Sequence, residues 1–109
     1  MEMNNPVIQF LYFEGCPLAP RARDNLVRAI RSLLSPSAVS FEEIDLMSGK
    51  TSVEFKRWGS PTILLNGRDI TGAPPGDSCT CRIYASTGGV PTTREIVSAI
   101  GKDCASRNS

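Results

Sequence analysis

The first apolar run is Val7 to Phe13, Val-Ile-Gln-Phe-Leu-Tyr-Phe. A short, nearly unbroken stretch of aromatic and β-branched residues predicts a strand buried in a sheet. Glu14-Gly15 breaks it, and beyond Gly15 the period changes. Leu18, Ala22, Leu26, Ile30 and Leu33/Leu34 recur at helical spacing. Val27 widens this stripe, while Arg21, Arg23, Arg28 and Arg31 largely avoid it. Pro17 fits the first helical position, where its missing N–H costs nothing, and Pro20 is tolerable in the first turn. Ser35-Pro36 ends the segment.

Val39 to Leu46 predicts a second strand. Its alternation slips at Glu42-Glu43, which points to a bulge or an edge position. Thr51 and Glu54 have capping-box spacing ahead of a short helix through about Trp58. Gly59-Ser60-Pro61 opens a third strand, Thr62 to Leu65. Asn66-Gly67 is a two-residue hairpin signal, and Arg68 to Thr71 returns as the fourth strand. Gly72 to Pro91 is a long loop rich in Gly, Pro, Ser and Thr. It carries Cys79-Thr80-Cys81, with a short extended piece expected at Arg82-Ile83-Tyr84. Thr92 and Glu95 form a second capping box. Ile96, Val97 and Ile100 line one face of a last helix, with Gly101 at its end. The expectation is one α/β domain over residues 1–101 with a cysteine-bearing loop at 72–91, and a flexible tail over 102–109. The core residues expected on the first strand are Phe10, Tyr12 and Phe13, and Trp58 is read as a lid on the core.

Composition narrows the chemistry. The 109 residues carry a net charge of +1, with both signs scattered, so no basic footprint for nucleic acid or for a membrane surface is expected. No apolar run approaches the roughly 20 residues that span a bilayer. Nor does the acidic, polar Met1 to Pro6 stretch read as a secretion signal. A cytoplasmic location is expected, where cysteines serve as thiols, redox groups or metal ligands more often than as structural disulfides. Histidine is absent, which excludes Cys-His pairs, Ser-His-Asp triads and imidazole metal sites. The chemical resource is the four cysteines, Cys16, Cys79, Cys81 and Cys104.

Cys16 stands between a predicted strand and a predicted helix. A thiol there meets unsatisfied backbone N–H groups and the positive end of the helix dipole. Such placement lowers a cysteine pKa from about 8.5 into a range of roughly 3.5–7.5. The plain alternative is a buried cysteine acting as a small apolar residue. Arg21 and Arg23 are near enough in sequence to add positive charge.

The order β-α-β-(α)-β-β-α, with Phe13-Glu14-Gly15-Cys16-Pro17-Leu18-Ala19-Pro20 at the first strand-to-helix junction, resembles the thioredoxin-like superfamily. The resemblance spans roughly Val7 to Ile100 and rests on order and spacing more than on any one short motif. It implies a thioredoxin/glutaredoxin-like mixed four-stranded sheet flanked by helices. It also implies a reactive Cys16 beside Pro17, and a cis peptide at Ser60-Pro61 where backbone groups pair with an extended substrate. Ala19 departs from the family, occupying the place of its second cysteine, so the usual internal disulfide at this motif is excluded. In the resembled fold the loop before the last helix packs beside the active cysteine, which makes Cys79 and Cys81 candidate partners of Cys16.

A weaker resemblance joins Gly15-Cys16-Pro17, Gly59-Ser60-Pro61-Thr62 and Cys81-Arg82-Ile83-Tyr84. These resemble small thioredoxin-like proteins of bacterial mercury-resistance contexts, some of them called organomercurial-lyase-like. No lyase activity is read from it. Three readings stand at this point. The first is thiol–disulfide exchange through Cys16, with Cys79 or Cys81 resolving, acting on protein or small-molecule thiols and disulfides and requiring no cofactor. The second is soft-metal binding or transfer by Cys16, Cys79 and Cys81, mercury before zinc. The third is a non-catalytic module that binds peptide at the proline loop.

Overall fold

The computed structural model describes residues 7–33, 40–72 and 89–107. The first apolar run becomes β1 (Ile8–Tyr12), followed by α1 (Ala19–Arg31), β2 (Phe41–Asp45), a 3-10 helix (Val53–Arg57), β3 (Thr62–Leu65), β4 (Arg68–Asp69) and α2 (Thr93–Arg107). The four strands form one mixed sheet in the order β2-β1-β3-β4. β1 runs parallel to β2 and antiparallel to β3, and β3 pairs antiparallel with β4. Among the described residues the architecture is α/β, with an open sheet and two α-helices.

Alternation along β1 sorts the core into two layers. Ile8 and Phe10 face α1 and α2, where they pack with Ala22, Leu26, Ile63 and Ile96. Leu11 faces the other way and joins Leu46, Trp58 and Leu64 in a second cluster, with Phe55 of the 3-10 helix against it. Trp58 is thus the core lid that its setting suggested. Leu26, Ala22 and Ala29 are fully buried, and the α1 arginines lie on the outer side. Asn66 and Gly67 join β3 to β4 with φ of 54° and 83°. Two consecutive positive φ angles are what a tight hairpin turn of this hand demands, and Asn-Gly supplies them at low steric cost.

Several local expectations are corrected. α1 begins at Ala19, with Leu18 as its cap and Pro20 in its first turn. Pro17 therefore precedes the helix and does not open it. The helix ends at Arg31, where the Ser32 hydroxyl donates to the Ala29 carbonyl (2.8 Å) and closes the last turn. Of the two readings of the Glu42-Glu43 slip, the edge position holds: β2 is an edge strand, with continuous pairing from Phe41 to Asp45 and no bulge among these residues. β4 stops at Asp69, because the Thr71 N–H (2.8 Å) and hydroxyl both donate to the Asp69 carboxylate and fold the chain into a turn.

The two capping-box sequences part company. Thr92 and Glu95 form theirs reciprocally: the Thr92 N–H donates to Glu95 Oε1 (2.9 Å) and the Glu95 N–H to Thr92 Oγ1 (3.1 Å). Thr51 instead donates its hydroxyl to the Asp45 carbonyl, at the end of β2. The segment after it is a 3-10 helix capped by Ser52 with no side-chain bond. Finally, α2 continues through Gly101 to Arg107, so the helix end expected at Gly101 does not hold. One glycine in a helix costs only about 1 kcal/mol.

Candidate functional site

Gly15 turns the chain out of β1 with a φ of 87°, a conformation that side chains resist. The Cys16 N–H then donates back to the Phe13 carbonyl (3.3 Å), and the Cys16 carbonyl accepts the Ala19 N–H (3.3 Å). Cys16 thus sits in a tight turn one step ahead of α1. Ala19, which stands where a second cysteine is expected in the resembled motif, is buried against the same core.

Ser60 holds this turn from the neighbouring strand. The Ser60–Pro61 peptide bond is cis. The Ser60 carbonyl accepts the Cys16 thiol (Sγ to O, 3.5 Å), and the Ser60 hydroxyl oxygen accepts the Phe13 N–H (3.3 Å). Ser60 and Pro61 are both fully buried, whereas Pro17 is exposed beside Cys16. Thr62 follows, its hydroxyl donating to the Gly59 carbonyl (2.7 Å). The cysteine turn and the proline loop are therefore one hydrogen-bonded unit at a single end of the sheet.

Cys16 is 4% exposed. A cleft of about 360 Å³ opens beside it, lined by Phe10, Tyr12, Glu14, Cys16, Arg23 and Glu43 among others. The floor comes from β1, with Phe10 and Tyr12 stacked at 5.9 Å between ring centroids. The far wall is an ion pair from α1 to the β2 edge: Arg23 donates from Nε (3.2 Å) and Nη2 (3.1 Å) to the two oxygens of Glu43. Arg23 also lies over the Phe41 ring, 5.7 Å from its centroid. The Glu43 hydrogen bond raises the Arg23 pKa further still, so the guanidinium stays charged. Partial burial, followed by the charges of Asp45, Glu43 and Glu14, pushes the Tyr12 phenol above its ordinary value of 10.0 and keeps it protonated.

Of the residues singled out in the sequence, Cys16, Pro17, Ser60 and Pro61 come together. Cys79 and Cys81 lie outside the described residues, as does the extended piece expected at Arg82 to Tyr84. The flanks of their segment are in view. The Ile70 N–H donates to the Ile63 carbonyl (3.1 Å), so β4 leads out at the end of the sheet where β3 begins and Cys16 sits. Val90, on the return, packs in the same buried cluster as Cys16. Among the described residues no group of three or more Cys, Asp or Glu side chains is arranged to hold a metal ion.

The helix-end argument for Cys16 is modified by this geometry. Pro17 and Pro20 have no N–H to offer a thiolate, and the Ala19 N–H is taken by the Cys16 carbonyl. The site that sequence reasoning missed is the cleft itself. Tyr12 packs against the core as expected, but it is only half-buried and also lines the cleft. Glu14, Arg23 and Glu43 join it from three different elements, and Glu43 comes to face Phe10 only through the pairing of β1 with β2.

Compared with known proteins, the chain matches no family model, no curated protein and no solved structure. Among the described residues no helix is long and apolar enough to cross a membrane.

Proposed function

We propose that the chain is a thioredoxin-like protein with one cysteine at its first strand-to-helix turn, performing thiol–disulfide exchange at Cys16. The observation that carries this reading is the setting of one thiol, 3.5 Å from the carbonyl of a cis Ser60–Pro61 unit and open on a cleft. The strand order β2-β1-β3-β4, with the cysteine after β1 and the proline before β3, supports it.

The chemistry is a displacement at sulfur. The Cys16 thiolate attacks one sulfur of a disulfide, the S–S bond breaks, and the departing thiolate takes a proton from water. Cys16 is left in a mixed disulfide. A second thiolate, from Cys79 or Cys81, then attacks the Cys16 sulfur and releases the remaining half as a thiol. The disulfide has been reduced by two electrons and the protein oxidised by two. An external thiol reductant restores it. Ala19 explains why the resolving sulfur has to come from outside the first turn of α1.

Trapping tests this directly. Fully reduced protein and its Cys79→Ser/Cys81→Ser variant are exposed to a small disulfide, alkylated, and mapped by mass spectrometry. The variant accumulates a mixed disulfide at Cys16, while the unsubstituted chain passes on to an internal disulfide. A Cys16 that stays unmodified while Cys104 reacts refutes the reading.

A further inference from the structure

We infer that the cleft beside Cys16 receives small disulfides carrying positive charge, such as those of aminothiols. This rests on Cys16 being the reacting thiol.

The access geometry limits size. Cys16 is 4% exposed, so a broad protein surface does not reach its sulfur, whereas a slender molecule entering the cleft does. The volume of about 360 Å³ falls at the small end of the range for small-molecule sites.

The charge layout limits sign. β1 and β2 pair Phe10 with Glu43 and Tyr12 with Asp45, and residues paired this way share one face of the sheet. Glu43 and Asp45 thus stand beside the aromatic floor on the adjacent strand, Glu43 within the cleft lining and Asp45 next to it, and Glu14 lines the cleft where β1 ends. All three act on the Tyr12 phenol. Among the described residues Arg23 is the basic one lining the cleft, and it is bonded to Glu43 through both carboxylate oxygens. The charges of that pair offset each other, leaving Glu14 as the further carboxylate of the lining, while Asp45 stands just outside it, its Oδ1 accepting the Met47 N–H (2.9 Å). Carboxylates and aromatic faces both attract an ammonium group. The exchange step is unchanged: the Cys16 thiolate displaces one aminothiolate from the disulfide, which is then protonated by water.

The test uses a Cys79→Ser/Cys81→Ser/Cys104→Ser background, in which Cys16 is the reacting cysteine. Rates of mixed-disulfide formation are measured by intact mass with cystamine (cationic), hydroxyethyl disulfide (neutral) and dithiodipropionate (anionic), each normalised to free cysteine. The expected result at low salt is a normalised preference of about 10-fold or more for cystamine over the anion, the scale of two partly screened charges at close range. That preference collapses as salt rises, a readout that needs no further substitution. Glu14→Gln and Asp45→Asn each reduce it, and Glu43→Gln releases Arg23 and moves it toward the anion. Equal normalised rates for all three probes overturn the inference and leave the thiol reading standing. No reaction of Cys16 with any probe overturns both.

Discussion

Replacing Cys16 separates its packing from its chemistry. Cys16→Ala removes one sulfur from a site that is 4% exposed and packed in the main core. The lost apolar burial is comparable to one methylene, about 0.8 kcal/mol. The thiol also donates to the Ser60 carbonyl at 3.5 Å. Sulfur is a weak donor, so this bond contributes about 0.5 kcal/mol, the low end of the usual range. A small residual cavity adds to the loss. The sum is roughly 1–2 kcal/mol. For a domain of this size each kcal/mol shifts Tm by roughly 4–8 °C. Cys16→Ser behaves differently. Its hydroxyl nearly preserves the shape and keeps a donor for the Ser60 carbonyl, so its stability stays within about 1 kcal/mol of the parent. If Cys16 is the reacting thiol, both variants lose the exchange that runs through it. Urea denaturation of the reduced proteins, with exchange assays alongside, checks the pattern. An alanine variant as stable as the parent, or a serine variant worse than alanine, would falsify the account of how Cys16 is held.

The two capping-box sequences give a second prediction. Thr92→Ala loses about 1 kcal/mol, and a double-mutant cycle with Glu95→Ala shows coupling, whereas the cycle of Thr51→Ala with Glu54→Ala shows none; equal coupling in the two cycles contradicts the geometry. A third concerns Tyr12, followed by ultraviolet titration in a Tyr84→Phe background. The phenol ionises above the ordinary 10.0, and Glu14→Gln lowers its midpoint. Because the folded-state pKa is raised, the stability Tyr12 contributes is fully present below about pH 10 and is lost as pH rises through the folded value. A midpoint at or below that of free tyrosine removes the claim that the carboxylates crowd this ring.

Much of the fold is legible in local pattern. The apolar run of β1, the helical stripe of α1 and the Asn-Gly turn each state their element through side-chain period or backbone φ alone. The same holds for the Thr92–Glu95 box. Elements went astray where a side chain had a competing partner. Thr51 has the right spacing to cap a helix, but the Asp45 carbonyl claims its hydroxyl. Thr71 has the composition of a strand residue, but the Asp69 carboxylate takes its N–H and hydroxyl and stops the strand. Pro17 is suited to a helix start, yet Gly15 and the Cys16 turn postpone the helix to Ala19.

The sequence by itself determined the α/β class and the singling out of Cys16, which follow from periodicity, from the absence of histidine, and from turn chemistry carried by adjacent residues. That the cysteine's turn meets a Gly-Ser-Pro-Thr segment some forty residues on was implied only by the resemblance to the thioredoxin-like superfamily. Only the tertiary structure decided that Cys16 is almost wholly buried and that its thiol rests on the Ser60 carbonyl. It alone placed Tyr12, Glu14, Arg23 and Glu43 around one cleft. The physical reason is register. Residues far apart in the chain share a face only once β1 and β2 are paired, and a one-residue slip in that pairing would turn Glu43 to the other side of the sheet.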